Sequence, residues 1–192
     1  VCNYNSIPSG PTNWLLHNTG QGGFENVTAS TGVSNGTRRS YQSSWVDFNL
    51  DGWLDLFVAN DMNDRNEMFL NNQGAQFTPI GADFGMNTQM EGMSANFNDF
   101  DSDGDWDLLV SNNLSGNVFL LNEGDTMVDI ADSAGVAVNS TCWGVLWMDY
   151  DHDGFDDLHI STSYLAVNNN QNYLFHNNGD STFSDVSMPN DL

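Results

Sequence analysis

The sequence has no lysine. Its 192 residues hold three arginines (Arg38, Arg39, Arg65) against 26 acids, for a net charge of -23. A chain this short of cations is poorly suited to hold nucleic-acid phosphates or an anionic membrane surface, and its charge argues against both partner classes. No apolar run approaches the ~20 residues of a membrane span, and no membrane insertion is expected of this segment. There is neither an initiator methionine nor a signal peptide at Val1, and the chain reads as a mature or excised piece. Cysteine is scarce. Cys2 aligns across internal repeats with Ala59, Ser111 and Ser161, and Cys142 with Ser40 and Gly92, which favours small packed thiols over a disulfide. No stretch has the period of an amphipathic helix. No serine sits in a nucleophile elbow and no phosphate loop is present. Disorder is excluded by 39% hydrophobic and 12% aromatic residues.

What the chain does have is one nine-residue stretch, three times over. Residues 47–55, 99–107 and 149–157 all read D-x-[DN]-x-D-G-x-x-D. Side-chain oxygens at positions 1, 3, 5 and 9 converge if the loop turns sharply at position 6, where Gly52, Gly104 and Gly154 stand. The expected ligands are Asp47, Asn49, Asp51 and Asp55; Asp99, Asp101, Asp103 and Asp107; and Asp149, Asp151, Asp153 and Asp157. Eleven of the 26 acids are thereby accounted for. Position 7 holds Trp53, Asp105 and Phe155, which share no chemistry. A calcium loop uses the backbone carbonyl there, which leaves the side chain free to vary. A hard, anionic, oxygen-only cage suits Ca²⁺, and three ions are expected. An EF-hand would need an acid at position 12, where this chain has Val58, Val110 and Ile160 in runs that read as buried strand.

The loops mark a larger repeat. Their glycines are 52 and then 50 residues apart. A short strand ends before each loop at Trp45-Val46, Phe97-Asn98 and Trp147-Met148, and an apolar strand follows it. A third strand opens and closes on asparagine: Asn66 to Asn71, Asn117 to Asn122 and Asn172 to Asn177. A glycine turn (Gly74, Gly124, Gly179) then leads to a fourth strand near Phe77, Met127 and Phe183. Residues 1–28 align without a gap on residues 160–187, so the chain opens inside a leading unit and supplies its third and fourth strands. The expected organisation is a half blade over 1–33 and blades over 34–86, 87–136 and 137–192. Four short strands per ~50 residues, with no helix, specify an all-β propeller blade. A β-sandwich array leaves a loop between the first two strands of every unit unexplained.

The loop, the N-x-φ-φ-x-N strand (φ, an apolar residue) and the glycine and phenylalanine after it resemble the FG-GAP or VCBS repeat of integrin α-subunit propellers and bacterial surface proteins. The resemblance covers essentially the whole chain. It implies a propeller, often of seven blades, with calcium in the first inter-strand loop. Such propellers serve adhesion, ligand binding, assembly and occasionally catalysis. Three and a half blades fall short of a usual ring, so flanking blades or an oligomer are expected.

The remaining residues read as structural. Nearly every clustered aspartate already has a calcium role, which leaves no carboxylate pair for hydrolysis. His17 and His176 share a repeat position with Leu70 and Leu121 and read as partly packed structural residues. His159 reads as packed and His152 as solvent-facing. Trp45, Phe97 and Trp147 recur two residues before each loop and read as blade packing, whereas Trp14 and Trp143 are better placed for surface contacts. Of the sequons at Asn26, Asn35, Asn113 and Asn139, the pair Asn35 and Asn113 falls in expected loops and is the likelier to be glycosylated. The expected function is a calcium-binding, non-enzymatic, extracellular or cell-surface segment that binds a protein or glycan ligand or copies of itself. The alternative is a non-catalytic part of a propeller polysaccharide lyase or hydrolase.

Overall fold

A computed structural model of the chain describes residues 2, 13–113, 115–163 and 171–187. Most of the opening residues, where the chain is expected to leave the end of a second strand (1 and 3–12), and residues 188–192, expected to reach the next connection, lie outside that set. The chain forms two compact units, residues 1–90 and 91–192.

In the first unit, β1 (Leu16–Asn18) and β2 (Phe24–Asn26) form an antiparallel pair, the third and fourth strands expected of the leading blade. A single helical turn, α1 (Thr28–Thr31), follows and stops at Gly32 in the left-handed conformation. This turn is the one departure from an all-strand reading. Thr31 N–H bonds to the Val27 carbonyl, and Gly32 both closes the turn and passes under the Phe77 carbonyl, 3.3 Å from where a Cβ would stand. Then come β3 (Ser40–Val46), β4 (Asp55–Asn60), β5 (Asp64–Arg65), β6 (Glu67–Asn72), β7 (Gln76–Pro79) and β8 (Gln89–Met90). Strands β3, β4, β6 and β7 make one antiparallel meander. The loop between β4 and β6 pairs as β5 with β8, and Arg39 donates from Nε to Asp64 Oδ2 at 3.0 Å beside it. Every residue of β4 is buried. A strand covered on both faces must be apolar without alternation, which Leu56-Phe57-Val58-Ala59 is.

The second unit holds two complete meanders. One is β9 (Ala95–Asn98), β10 (Asp107–Val110), β11 (Val118–Asn122) and β12 (Met127–Asp129). The other is β13 (Cys142–Met148), β14 (Asp157–Thr162), β15 (Tyr173–Asn177) and β16 (Phe183–Asp185). Both are propeller-type blades. They share one core, where Phe100 lies 4.7 Å from Phe119 and 5.9 Å from Phe183 between ring centroids, with Trp147 packed beside them. Gly135 repeats the role of Gly32: a Cβ there would stand 3.1 Å from the Phe183 carbonyl, and Phe183 N–H bonds to the Ala134 carbonyl. Within each unit, the last blade is thus seated on the turn that ends the one before it. Strands β3 and β13 carry the same irregularity, between Ser40 and Gln42 and between Cys142 and Gly144. That explains the small residue at both positions. Cys142 is fully buried, Cys2 is partly buried, and both are free thiols.

Two packing expectations need correction. Trp147 is half-buried and packs against the core, but Trp45 is 46% exposed and touches Phe77 edge-on at 6.2 Å. His17 is exposed rather than packed, because β1 has no neighbour on its outer side among the described residues. Trp14 and Trp143 are exposed as expected. Asn35 does lie in a loop, yet only 3% of it is accessible, and its Nδ2 donates to Ser40 Oγ and Asn60 Oδ1. That amide cannot accept a glycan in the folded chain. Asn113 is also held, by Glu91 and Thr141. The exposed sequons are Asn26 and Asn139. No described helix is long and apolar enough to cross a membrane.

Candidate metal centre

Each nine-residue loop closes the hairpin between the first two strands of a blade. The registers Val46↔Asp55, Asn98↔Asp107 and Met148↔Asp157 place position 9 opposite the residue before position 1. Two backbone reversals fold the loop between those ends. Position 6 has φ of +90°, +98° and +95° at Gly52, Gly104 and Gly154, as its glycine requires. Position 4 is also left-handed, with φ of +57°, +61° and +65° at Leu50, Ser102 and His152. For a non-glycine residue that conformation costs about 1 kcal/mol. The sequence hid this reversal, because three unlike side chains occupy the position.

Side-chain hydrogen bonds hold the turn. The position-1 carboxylate accepts from backbone N–H groups across the reversal: Asp47 from Asp51 and Gly52, Asp99 from Gly104, Asp149 from Asp153 and Gly154. Position 5 accepts from the N–H of position 7 in all three loops: Asp51 from Trp53, Asp103 from Asp105, Asp153 from Phe155. Position 9 is different. Asp55, Asp107 and Asp157 are at most 1% exposed. One oxygen of each accepts from the position-2 N–H (Phe48, Phe100, Tyr150), and the other from the last asparagine of the third strand (Asn71, Asn122, Asn177). These asparagines also donate to the position-8 carbonyl and accept from the turn glycine that follows. The repeated Asn is therefore a clip between the loop and the third strand.

The acids do converge. Oxygens of Asp99, Asp101 and Asp107 lie within 4.8 Å of one another, as do those of Asp149, Asp151 and Asp153. In the third loop Asp151 and Asp157 form such a group with a nitrogen of His176. No trio of acids closes as tightly in the first loop among the described residues. There Asn49 donates from Nδ2 to Asp51 Oδ2 at 3.1 Å. In the second loop Asp99 Oδ1, Asp101 Oδ1 and Asp105 Oδ1 are buried and accept no hydrogen bond. Buried carboxylate oxygens without donors are costly, and a hard cation is the group that satisfies several at once. The residues present fit one. Charge crowding shows in the acidities. Burial, with Asp101 and Asp105 adding repulsion, pushes Asp107 up to about 7. Burial, then Asp103, Asp101 and Asp99, pushes Asp105 up to about 6. Burial also raises Asp101 and Asp55.

Position 7 varies less freely than expected. Trp53 and Phe155 lie over the turn glycines Gly74 and Gly179, whose Cβ would stand 3.0 Å from a ring carbon. Both glycines are left-handed as well, so two separate constraints exclude a side chain. In the second loop Asp105 replaces the ring, and Gly124 has open space above it. Of the histidines, His152 is exposed as expected, and His159 is half-buried rather than fully packed. His176 is the residue sequence reasoning missed, since its repeat position holds leucine in the other two loop-bearing blades.

No curated protein matches the chain. The FG-GAP-like repeat family matches residues 47–110 and again residues 99–160, so that each match runs from the first aspartate of one loop to the end of the apolar strand in the next blade. The loops described above are the boundaries of that repeat, and the chain belongs to the FG-GAP-like repeat family.

Proposed function

We propose that the three loops bind calcium, and that the chain is a calcium-stabilised, extracellular binding or assembly segment without enzymatic activity. The observation that carries this reading is the set of buried, donorless carboxylate oxygens at Asp99, Asp101 and Asp105 within one loop. The expected ligands are the acids named above, Asn49, and the position-7 carbonyls of Trp53, Asp105 and Phe155. Bound calcium supplies the positive charge that lets these carboxylates stay ionised side by side. The chain's own residues do the rest: the two backbone reversals aim the oxygens, and the position-9 aspartate ties the loop to the third strand. An acidic, calcium-dependent module suits the calcium-rich exterior of a cell. FG-GAP-like repeats are often found in adhesion and ligand binding, so a protein or glycan ligand, or further copies of the chain, is the expected partner.

Equilibrium dialysis at neutral pH should give three calcium ions per chain. With calcium, sedimentation and glycan or protein arrays should show association, and polysaccharides incubated with the chain should stay intact. No calcium uptake overturns the metal reading, and depolymerisation of a polysaccharide overturns the non-enzymatic one.

Protonation gives a second check. In the metal-free protein Asp107 and Asp105 titrate near about 7 and about 6, above the ordinary 3.8. A folded-state value above the unfolded one means the folded chain binds more protons between those limits, so stability falls as pH rises through that window. In chelator, acidifying from pH ~7.5 to ~5 should therefore raise the melting temperature, since ~5 lies between the two titration limits. In calcium the same step should lower it, because protonated carboxylates cease to be ligands. Parallel slopes in the two buffers would contradict a metal at these acids.

A further inference from the structure

We propose that the third loop, together with His176, is a mixed nitrogen–oxygen site that takes a borderline transition ion such as zinc(II) or cobalt(II) in preference to the calcium it binds when no such ion is present, in contrast to the oxygen-only first and second loops. This inference rests on reading the loops as metal centres and goes beyond it in giving one of them a preference for a second ion class.

His176 comes from β15, one residue before the clip asparagine Asn177. The residues at the same place in the other two loop-bearing blades, immediately before Asn71 and Asn122, are Leu70 and Leu121, and the leading half blade, which carries no loop, has His17. A leucine offers no ligand atom. His176 instead places Nδ1 3.3 Å from Asp151 Oδ2 and 3.3 Å from Asp157 Oδ1. The three atoms belong to one group within 4.8 Å. Nδ1 is buried and has no hydrogen-bond partner, although the ring as a whole is 28% exposed. The ring therefore turns its unsatisfied nitrogen toward the carboxylates and its far edge toward solvent. Tyr150 stands edge-on to it, with centroids 6.3 Å apart and planes at 77°, which limits rotation.

The far nitrogen completes the arrangement. If Nδ1 holds a metal, Nε2 carries the ring proton, and the nearest acid to it is Asp153 at 4.0 Å. At that distance Asp153 accepts no hydrogen bond from Nε2 and favours the proton there by charge alone. Asp157 Oδ1 already accepts from Asn177 N–H at 2.8 Å, and its second lone pair remains for a metal. Two carboxylates and one imidazole form a donor set that calcium, which takes oxygen, does not prefer, and that zinc, cobalt and nickel do. The competing account is a plain ion pair: His176, when protonated, simply sits between Asp151 and Asp157.

Cobalt(II) can test this on the whole chain in saturating calcium, read by visible absorption and by proton NMR. The expected result is one cobalt per chain, ligand-field bands, and a single paramagnetically shifted exchangeable imidazole proton, all removed by zinc. H176L installs the leucine found in the other two blades, which lowers the risk of misfolding, and H176Q keeps polarity. Both should lose the shifted proton and weaken zinc binding at least ~10-fold. The exposed His152, in the same loop, serves as control, and His152→Ala should leave the signal in place. The proposal is overturned if cobalt gives no imidazole signal, or if H176L binds zinc as tightly as the parent, which leaves only the ion pair. Calcium stoichiometry measured on the same samples separates the two readings. Three calcium ions without a histidine signal sink this inference alone. A histidine-dependent cobalt site on a chain that takes no calcium sinks the calcium reading alone.

Discussion

Calcium should raise the melting temperature of this chain by about 10 °C over chelator, on the scale of ~2–4 °C per kcal/mol for a protein of this size. The estimate follows from mass action. With each dissociation constant near ~10⁻⁴ M and free calcium at ~10⁻³ M, each loop adds about 1.4 kcal/mol and three add roughly 4. Against a usual domain stability of ~5–15 kcal/mol that is a large share. Magnesium should do much less, because it demands a tight octahedron and gives up its water reluctantly. The loops should not contribute equally. The first has the neutral Asn49, whose amide already donates to Asp51. The second has three donorless buried oxygens and a fifth acid, Asp105, in its cluster. Asp101→Ala should therefore cost more calcium-dependent stability than Asn49→Ala. Differential scanning calorimetry in calcium, magnesium and chelator makes the comparison. Identical melting temperatures in all three would end the calcium hypothesis.

The strand plan was legible because it rests on features that repeat: a glycine forced into the left-handed region, an apolar run buried on both faces, a strand that opens and closes on asparagine. Each recurs three times and identifies the others. What escaped were the features that differ between copies. Leu50, Ser102 and His152 share a left-handed backbone that no side-chain pattern advertises. Trp53 and Phe155 look unrelated to Asp105, yet two of the three cover a turn glycine. His176 aligns with leucines and so reads as packing until β15 is placed beside the third loop. Asn35 illustrates the opposite error. Its loop was anticipated, but loop residues can point inward, and the side chains that capture it, Ser40 and Asn60, lie on β3 and β4. The helical turn α1 is four residues long, too short to show a period in sequence.

The position-9 aspartates deserve a prediction of their own, because they act in two ways that can be separated. Asp55 is fully buried, and its oxygens accept from Asn71 N–H at 2.6 Å and Phe48 N–H at 2.9 Å. Asp55→Ala strands both donors away from water. At ~1–3 kcal/mol for each unsatisfied buried group, the loss should be about 3–5 kcal/mol. It should persist in chelator, since no metal is needed for either bond. Asp107→Ala should cost less in chelator than Asp55→Ala for two reasons. Its bond from Phe100 is longer, at 3.4 Å. Its removal also relieves a carboxylate that burial and Asp101 hold at about 7. Asp55→Asn keeps one acceptor oxygen and turns an NH₂ toward the second donor, so it should fall between alanine and the parent. Urea unfolding with and without calcium reads all three variants. A position-9 residue that served only as a metal ligand would leave chelator stability untouched when replaced by alanine. A loss at Asp55 of under ~1 kcal/mol in chelator, smaller than a single stranded donor should cost, would show that the two bonds to Phe48 and Asn71 do not hold the loop to β6.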